Sequence, residues 1–273
     1  MNITKRIHIN PQSKGSLGKS FEAEFRTAWL DYHQIPWKGS DLDDRHHSFA
    51  DRHPEQVQLH ILGNDEDSKA TLLGLSRDVA RSDSPVHVVD CRAQADGLIV
   101  QALESLQLLE SLASQGIRFT FFLFPSEDTE SMGNLMDLFY FAGDRVDYVV
   151  VHNPAKVRIN LFKKSGLEAE LIKFGARELT LPVVTSITLL AIKRAEAKAG
   201  RKLSFAEVAT PGANHVELLL AGEMQWAMQR MFRQYDEIAD LLLPPQLEIQ
   251  MLEDEVVVKP PAWPKRPTLN LGN

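Results

Sequence analysis

Apolar residues recur along the first two-thirds of the chain in two alternating patterns. Runs that are apolar at every position or every second position predict five strands. Apolar residues three or four positions apart predict the helices between them. The predicted strands cover residues 6–10, 57–62, 86–90, 117–124 and 146–152, and the predicted helices cover residues 19–34, 66–81, 96–114 and 128–142.

Some of the predicted strands are apolar without interruption, as in residues 119–124 and 149–151. Such strands are typical of a parallel sheet whose two faces are both covered by helices. We therefore expect an α/β fold: a doubly wound, mostly parallel sheet with helices on both faces.

The pattern becomes helical after Pro182, which predicts extra C-terminal helices over residues 184–199 and 215–243, separated by Pro211-Gly212. Further prolines follow from Pro244, and these fix backbone angles and remove hydrogen-bond donors. We expect residues 1–243 to form one domain and residues 244–273 to form an extended tail.

Composition excludes several classes of protein. A net charge of −7 over 273 residues argues against a surface that binds nucleic acid everywhere, and the single cysteine, Cys91, cannot form an intramolecular disulfide. The N-terminus has no apolar signal core, and no apolar run reaches the roughly 18 residues of a spanning helix. We expect a cytoplasmic protein without a transmembrane segment.

A polar loop at residues 13–20, Ser-Lys-Gly-Ser-Leu-Gly-Lys-Ser, joins the first predicted strand to the first helix. Backbone N–H groups and the positive end of a helix bind phosphate at such a position, while a lysine, here Lys19, neutralises it and a hydroxyl, here Ser20, binds Mg²⁺. Ser13 stands where the strict pattern has glycine, so a chance turn is the alternative. The position of the loop between strand and helix favours a phosphate site.

Residues 14–20 resemble the deviant Walker A motif, K-G-G-x-G-K-[ST], of the ParA/MinD group of ATPases. Ser16 departs from this motif. The resemblance implies ATP and Mg²⁺ as cofactors and a homodimer formed on ATP binding, with Lys14 reaching the partner's nucleotide as a catalytic residue. The ATP-binding residues it implies in this segment are Lys14, Gly15, Ser16, Leu17, Gly18, Lys19, Ser20 and Phe21.

The same resemblance implies acidic residues at the ends of two strands. Asp43, in Asp41-Leu42-Asp43, matches the residue that positions the attacking water, although the preceding segment is polar for a strand. Asp90 ends an apolar strand and matches the Walker B aspartate, so Ser20, Asp43 and Asp90 are the expected Mg²⁺ residues. A solvated acidic turn is the alternative for Asp43, and a metal site at His46, His47 and His53 is a third interpretation.

Two further positions follow from the resemblance. Asn153 follows an apolar strand and matches the asparagine that reads the base, since an amide can both donate to and accept from adenine. Pro182 lies where a loop packs on the adenine. The segment after Asp90 matches the switch loop, and within it Cys91 is better explained as a small buried residue than as a nucleophile.

Within the group, the segments at residues 41–49, 90–94 and 202–207 are similar to plasmid stability and conjugal-transfer ATPases of the StbB and TraL kind. This implies a role in plasmid partition or conjugation and a plasmid-encoded DNA-binding or relaxosome partner. Non-specific DNA binding would need a basic face; nearby acidic residues make a mixed solvated surface the alternative. The candidate cations are Lys193, Arg194, Lys198, Arg201 and Lys202, with Arg230 and Arg233 on the last long helix.

Three functions remain open on the sequence. The first is an ATPase switch that dimerises around Mg²⁺-ATP and is reset by slow hydrolysis. The second is a scaffold that keeps the nucleotide-binding fold without hydrolysis. The third is a small-molecule P-loop kinase, which would give no reason for Lys14.

Overall fold

The structure of the chain is a computed structural model that describes residues 2–12, 14–43, 46–93, 95–156, 160–210 and 216–249. Within these residues, seven strands form one sheet in which every neighbouring pair is parallel. The strands are β1 (Lys5–Ile9), β2 (Trp37–Asp41), β3 (Val57–Leu59), β4 (Val86–Asp90), β5 (Ile117–Leu123), β6 (Asp147–His152) and β7 (Arg177–Thr180).

The strand order is β3-β2-β4-β1-β5-β6-β7. From β1 the chain moves outwards on one side to β2 and β3, returns to β4 beside β1, and then crosses to β5, β6 and β7 on the other side. In a parallel sheet, a crevice forms at the carboxyl edge where two neighbouring strands are followed by connections that run to opposite sides of the sheet. The loop after β1 lies at such a crevice.

Twelve α-helices connect and cover the described strands. They are α1 (Lys19–Tyr32), α2 (Ser48–Arg52), α3 (Asp65–Arg81), α4 (Asp96–Ser105), α5 (Leu108–Ser114), α6 (Thr129–Ala142), α7 (Asn160–Lys164), α8 (Leu167–Lys173), α9 (Ser186–Ala199), α10 (Phe205–Ala209), α11 (Leu218–Glu237) and α12 (Ala239–Leu242).

The sheet separates two hydrophobic cores. Successive residues of a strand point to opposite faces, so Phe121 joins one core and Phe122 joins the other. Helices α1, α2 and α9 to α12 contribute to the core on the Phe122 side, and α3 to α8 contribute to the core on the Phe121 side. The expected doubly wound α/β fold with helices on both faces and extra C-terminal helices is confirmed.

The apolar pattern did not predict the strand β2, because its sequence is Trp-Lys-Gly-Ser-Asp; only the resemblance implied a strand here. It nevertheless lies between β3 and β4. A Cβ at Gly39 would come within 2.9 Å of Val57 Cγ2 and 3.1 Å of Phe49 Cε1. Side chains from neighbouring elements therefore fill the space that an apolar residue in this strand would occupy.

The helix predicted over residues 96–114 is two helices, because Gln107 adopts a left-handed conformation (φ +48°) between α4 and α5. The last long helix begins at Leu218 and breaks at Ile238. His215, Pro211-Gly212 and residues 250–273 of the predicted tail lie outside the described residues. None of the described helices has the length and apolar character needed to cross a membrane.

Candidate functional site

The loop after β1 leads directly into α1, and Gly18 (φ +103°) precedes the first residue of that helix. No side chain caps α1, as is also the case for α2, α4, α5, α8, α11 and α12, whereas the side chains of Asn64, Asp128, Thr185 and Ser204 cap α3, α6, α9 and α10. The first backbone N–H groups of α1 are therefore left for another acceptor. An anion is the acceptor that the helix dipole favours at this end.

Gly18 is required by close approach as well as by its backbone angle. A Cβ there would lie 2.5 Å from Asn153 Nδ2 and 3.2 Å from Leu181 Cδ1. At Gly15, a Cβ would be 3.4 Å from the Cβ of Ala93, which follows β4. The loop is thus packed between the segments that follow β4, β6 and β7.

Lys19 is largely buried, with 7% of its surface exposed, and its ammonium donates a hydrogen bond to the backbone carbonyl of Gln12. Burial lowers the pKa of Lys19, and the carboxylates of Asp90, Asp96 and Asp43 partly offset this effect. No ion pair among the described residues includes Lys19. A phosphate at the loop would supply a counter-charge in direct contact with the buried ammonium.

Ser20 and Asp90 lie together beneath the loop. The carboxyl of Asp90 accepts hydrogen bonds from the Ser20 hydroxyl and from Asn10 Nδ2, the latter at 3.1 Å. Burial raises the pKa of Asp90, and these two donors act in the opposite direction. A hydroxyl beside a carboxylate is the small oxygen ligand set that Mg²⁺ accepts when water and phosphate complete its coordination.

Asn10 and Gln12 hold the loop in place, and neither was identified from the sequence. Besides binding Asp90, Asn10 accepts a hydrogen bond from the backbone N–H of Cys91 at 2.9 Å. The side-chain amide of Gln12 bonds both the N–H and the carbonyl of Phe124 at the end of β5. In the sequence they are two amide residues, one at the end of the first predicted strand and one in the loop after it, a pattern that is typical of many loops.

Asn153 also supports the loop. Its Nδ2 donates to the carbonyl of Leu17 at 2.8 Å, and its Oδ1 accepts from the N–H of Ala155 at 3.2 Å. Pro182 is buried in the segment after β7, next to Leu181. The two residues expected to contact the base are therefore on the side of the loop formed by β6 and β7, and their role in base binding stays a prediction.

Ser16 and Phe21 have distinct positions around the loop. Ser16 adopts a left-handed conformation (φ +62°), at the position where the deviant motif has a glycine. Phe21 lies on the first turn of α1 in edge-to-face contact with Phe25 and Phe205. The contacts of Phe21 are thus with the core on that side of the sheet.

Asp43 lies two residues beyond β2, close to the carboxyl edge of the sheet, where Asp41 pairs in register with Asp90. The half-buried carboxylate of Asp43 accepts from the N–H of His46 at 3.0 Å. Asp41 is buried and accepts from the N–H groups of Asp43, Phe49 and Ala50, so it fixes the turn and the start of α2. Burial raises the pKa of Asp41 to about 6.

Lys14 is half exposed, and its Nζ lies 3.2 Å from Asp128 Oδ2 at the start of α6. The N–H of Ser131 and the ammonium of Lys14 lower the pKa of Asp128. The two lysines of the loop therefore have different environments. Lys19 is directed into the loop and Lys14 is held at the surface.

The histidines of the alternative metal site and the single cysteine lie in different environments. His53 Nε2 lies 3.2 Å from Glu24 Oε2, whereas His46 and His47 are exposed. The described part of the chain contains no group of three or more potential metal ligands. Cys91 is buried, which raises the pKa of its thiol.

Of the seven cations proposed for a DNA-binding face, the five at residues 193–202 are divided between two environments. Arg201 pairs with Glu207 at 2.5 Å, and Lys202 pairs with Glu196 at 3.0 Å. Lys193, Arg194 and Lys198 are exposed on α9. Arg201 and Lys202 are thus already partly neutralised within the chain.

Comparison with known proteins gives a structural likeness and no sequence match. No family model matches the chain, and no curated protein sequence matches it. Among solved structures, the chain is similar to the MinD cell division protein of Aquifex aeolicus, with 12% sequence identity and a TM-score of 0.44, over 91% of this chain and 100% of that chain. The fold assignment rests on the sheet order and helix placement themselves.

Proposed function

We propose that this chain is a P-loop ATPase of the ParA/MinD type, which binds Mg²⁺-ATP at the loop of residues 13–20 and dimerises around it. The observation that carries this proposal is the buried ammonium of Lys19 beside an uncapped α1. A buried cation that forms no ion pair with the described residues is costly, and an anion bound at the helix start offsets that cost.

Each residue of the site then has one role. Lys19 and the N–H groups at the start of α1 bind the phosphates, and Ser20 and Asp90 hold the metal and its water shell. When bound, Mg²⁺-ATP supplies the phosphoryl group and the divalent charge. Asp43 orients water at the carboxyl edge of the sheet, close enough to affect the pKa of Lys19.

Lys14 serves a second subunit in this proposal. Its half-exposed ammonium can leave Asp128 at little cost, because an exposed ion pair is weak. In a dimer that faces two loops towards each other, Lys14 supplies positive charge to the partner's phosphates as charge develops on them. Hydrolysis then depends on dimerisation, and the protein acts as a slow switch.

For the biological role we retain plasmid partition, stability or conjugal transfer, in the manner of StbB and TraL proteins. The partner would be a plasmid-encoded DNA-binding or relaxosome protein. Direct DNA binding is less favoured than it was on the sequence, because Arg201 and Lys202 have acidic partners. Salt-dependent binding of duplex DNA that is lost when Lys193 and Arg194 are reversed in charge would restore it.

Nucleotide binding is tested by calorimetry with Mg²⁺-ATP on wild type, Lys19→Ala and Ser20→Ala. We expect wild type to bind, Lys19→Ala to lose binding, and Ser20→Ala to lose the dependence on Mg²⁺. The control is Lys38→Ala, an exposed lysine that bonds the carbonyl of Glu55 away from the loop. Equal ATP binding by wild type and Lys19→Ala would contradict the proposal.

A nucleotide-binding scaffold without hydrolysis is the second candidate. It is favoured by the position of Asp43, whose carboxylate is engaged with the N–H of His46. Phosphate release decides between the two functions. A protein that binds Mg²⁺-ATP, dimerises and releases no phosphate over many hours is a scaffold, whereas measurable release that Asp43→Asn abolishes identifies an ATPase.

A further inference from the structure

A group of exposed apolar side chains surrounds the junction of α9 and α11. At this junction the carboxylate of Glu223 accepts hydrogen bonds from Thr185 and Thr188, which fixes the two helix starts against each other. Large apolar side chains flank these residues in sequence and are 49 to 84% exposed. They are Val183, Ile187, Leu190, Leu218, Leu219 and Trp226.

Exposed cations continue along both helices from this junction. On α9, Ile187, Leu190, Arg194 and Lys198 are three or four residues apart and so lie on one side of the helix. On α11, the same spacing joins Leu219, Trp226, Arg230 and Arg233 through the exposed Gly222. Each helix therefore exposes an apolar end followed by a basic stripe; we call the two together the α9–α11 face.

Exposed acidic side chains are fewer than exposed cations along the α9–α11 face. The only carboxylate in α9 is Glu196, which is buried and paired with Arg52 and Lys202. On α11, Glu223 is engaged at the junction and Asp236 is buried. The exposed carboxylates are Glu217, which directly precedes Leu218 at the helix start, and Glu237 at the far end. The chain as a whole has a net charge of −7, so a surface with more exposed cations than carboxylates differs from its average.

The cations of this face are also without carboxylate partners. Among the described residues, no ion pair includes Lys193, Arg194, Lys198, Arg230 or Arg233, and the guanidinium of Arg230 lies 5.6 Å from the ring centroid of Trp226. Cations stabilised only by water or an aromatic ring remain available to an anionic surface.

We propose that the α9–α11 face binds the surface of an anionic lipid membrane. Leucine, isoleucine and tryptophan side chains that protrude beside a basic stripe can enter the boundary between headgroups and acyl chains, while the cations contact the headgroup phosphates. Duplex DNA would use the cations but would gain nothing from Leu218, Leu219 or Ile187, which are 68 to 84% exposed. The apolar component therefore distinguishes the two anionic partners.

This proposal does not depend on nucleotide binding, because the face is exposed in the chain as it stands and is formed by helices that do not carry the phosphate loop. We expect membrane binding with or without Mg²⁺-ATP. Lys19→Ala, which tests the ATP site, should bind membranes as wild type does. Failure of either proposal is thus distinguishable from failure of the other.

The test is co-sedimentation of the full chain with vesicles of phosphatidylcholine alone or mixed with phosphatidylglycerol, at about physiological ionic strength. We expect binding to the anionic vesicles only. Two double variants separate the components of the face: Ile187→Ser with Leu219→Ser removes apolar contact, and Arg194→Glu with Arg230→Glu reverses charge. Each should weaken binding about tenfold or more.

Matched controls lie on the other face of the sheet. Ile172 and Phe174 are 57% and 45% exposed, and Lys163 and Lys164 are exposed on α7. Ile172→Ser with Phe174→Ser, and Lys163→Glu with Lys164→Glu, should leave vesicle binding within about twofold of wild type. Circular dichroism of all four double variants establishes that each is folded.

Three outcomes would overturn the proposal. The first is no binding of wild type to anionic vesicles. The second is binding that the apolar variant retains in full and that a duplex DNA competitor abolishes, which would make the face an electrostatic nucleic-acid surface. The third is a wild-type dimer without lipid or nucleotide that the apolar variant converts to a monomer, which would make the face an interface between copies.

Discussion

Lys14 Nζ and Asp128 Oδ2 lie 3.2 Å apart, so the early lysine of the loop is paired with the residue that caps α6. If Lys14 serves the partner subunit, this pair competes with dimerisation. Asp128→Asn removes the competing charge and keeps a side-chain oxygen for the N–H of Ser131, since asparagine is also a good cap. We expect ATP-dependent dimerisation to become a few-fold tighter, because exposed pairs are weak.

Analytical ultracentrifugation with Mg²⁺-ATP measures this change. The matched control is Asp65→Asn, which removes the half-buried pair with Lys69 at the start of α3. Unchanged or weaker dimerisation of Asp128→Asn, with the control equal to wild type, would show that the pair does not restrain Lys14.

Ser16 adopts a left-handed backbone that favours glycine. Ser16→Gly relieves this strain, and we expect the free energy of unfolding to rise by up to about 1 kcal/mol, with ATP affinity unchanged or higher. Gly18→Ala is the opposite case, because its φ is +103° and its new Cβ would meet Asn153 Nδ2. Gly18→Ala should lower the free energy of unfolding, measured in urea, and the affinity for ATP, measured by calorimetry. An equal effect of Ser16→Gly and Gly18→Ala would contradict this account of the loop.

Asn10 positions Asp90 without contacting nucleotide in the proposed site. Asn10→Ala leaves the buried carboxyl of Asp90 and the N–H of Cys91 without this partner. We expect a loss of about 2 kcal/mol in stability and a lower kcat for ATP hydrolysis, with a smaller change in KM because Lys19 is untouched. Asn64→Ala, which removes the cap of α3, should lower stability and leave kcat unchanged.

If Asn10→Ala lowers stability and leaves kcat equal to that of the Asn64→Ala control, Asn10 has only a structural role. Partial recovery of kcat in Asn10→Ser, which restores a small donor beside Asp90, would instead support positioning.

His87 gives the stability a defined pH dependence. Burial, with a contribution from His60, lowers the pKa of His87 to about 3, so the folded chain keeps this ring neutral. The unfolded chain binds a proton at His87 below about pH 6.5. The unfolded state then holds more protons, and the free energy of unfolding falls as pH decreases from about 6.5 towards 3, by up to about 1.4 kcal/mol per pH unit.

Urea unfolding of wild type and His87→Gln from about pH 7 to about pH 5 measures this contribution. The glutamine keeps a polar group near Ser40, which bonds His87 Nε2 at 3.0 Å. We expect the variant to have a flatter pH dependence, while His47→Gln, at an exposed position, should match wild type. Parallel curves for wild type and His87→Gln would contradict a neutral buried ring.

The sequence predicted the parts of the fold that depend on local apolar pattern. The strands containing Val88 and Phe122 were predicted because parallel strands buried on both faces are apolar throughout. The apolar pattern missed the strand ending at Asp41, which only the resemblance implied, because Phe49 and Val57 from neighbouring elements pack over Gly39. The break at Gln107 depends on a backbone conformation that residue type does not specify.

The candidate site divides in the same way. Lys19, Ser20 and Asp90 follow from motifs whose spacing is local to a strand and a helix, and the structure brings them together. Asn10, Gln12 and Asp128 act through partners more than 70 residues away in the chain, so no spacing identifies them. Long-range hydrogen bonds of this kind become visible only once the strand order is known.

The central claim is that two lysines of one loop have separate roles, Lys19 in its own subunit and Lys14 in the partner. The most direct test is the molar mass in solution, with and without Mg²⁺-ATP, for wild type, Lys14→Ala and Lys19→Ala, together with phosphate release. We predict an ATP-dependent dimer for wild type, no nucleotide binding by Lys19→Ala, and nucleotide binding without dimer or turnover by Lys14→Ala. A wild type that binds Mg²⁺-ATP, stays monomeric and releases no phosphate would contradict the claim.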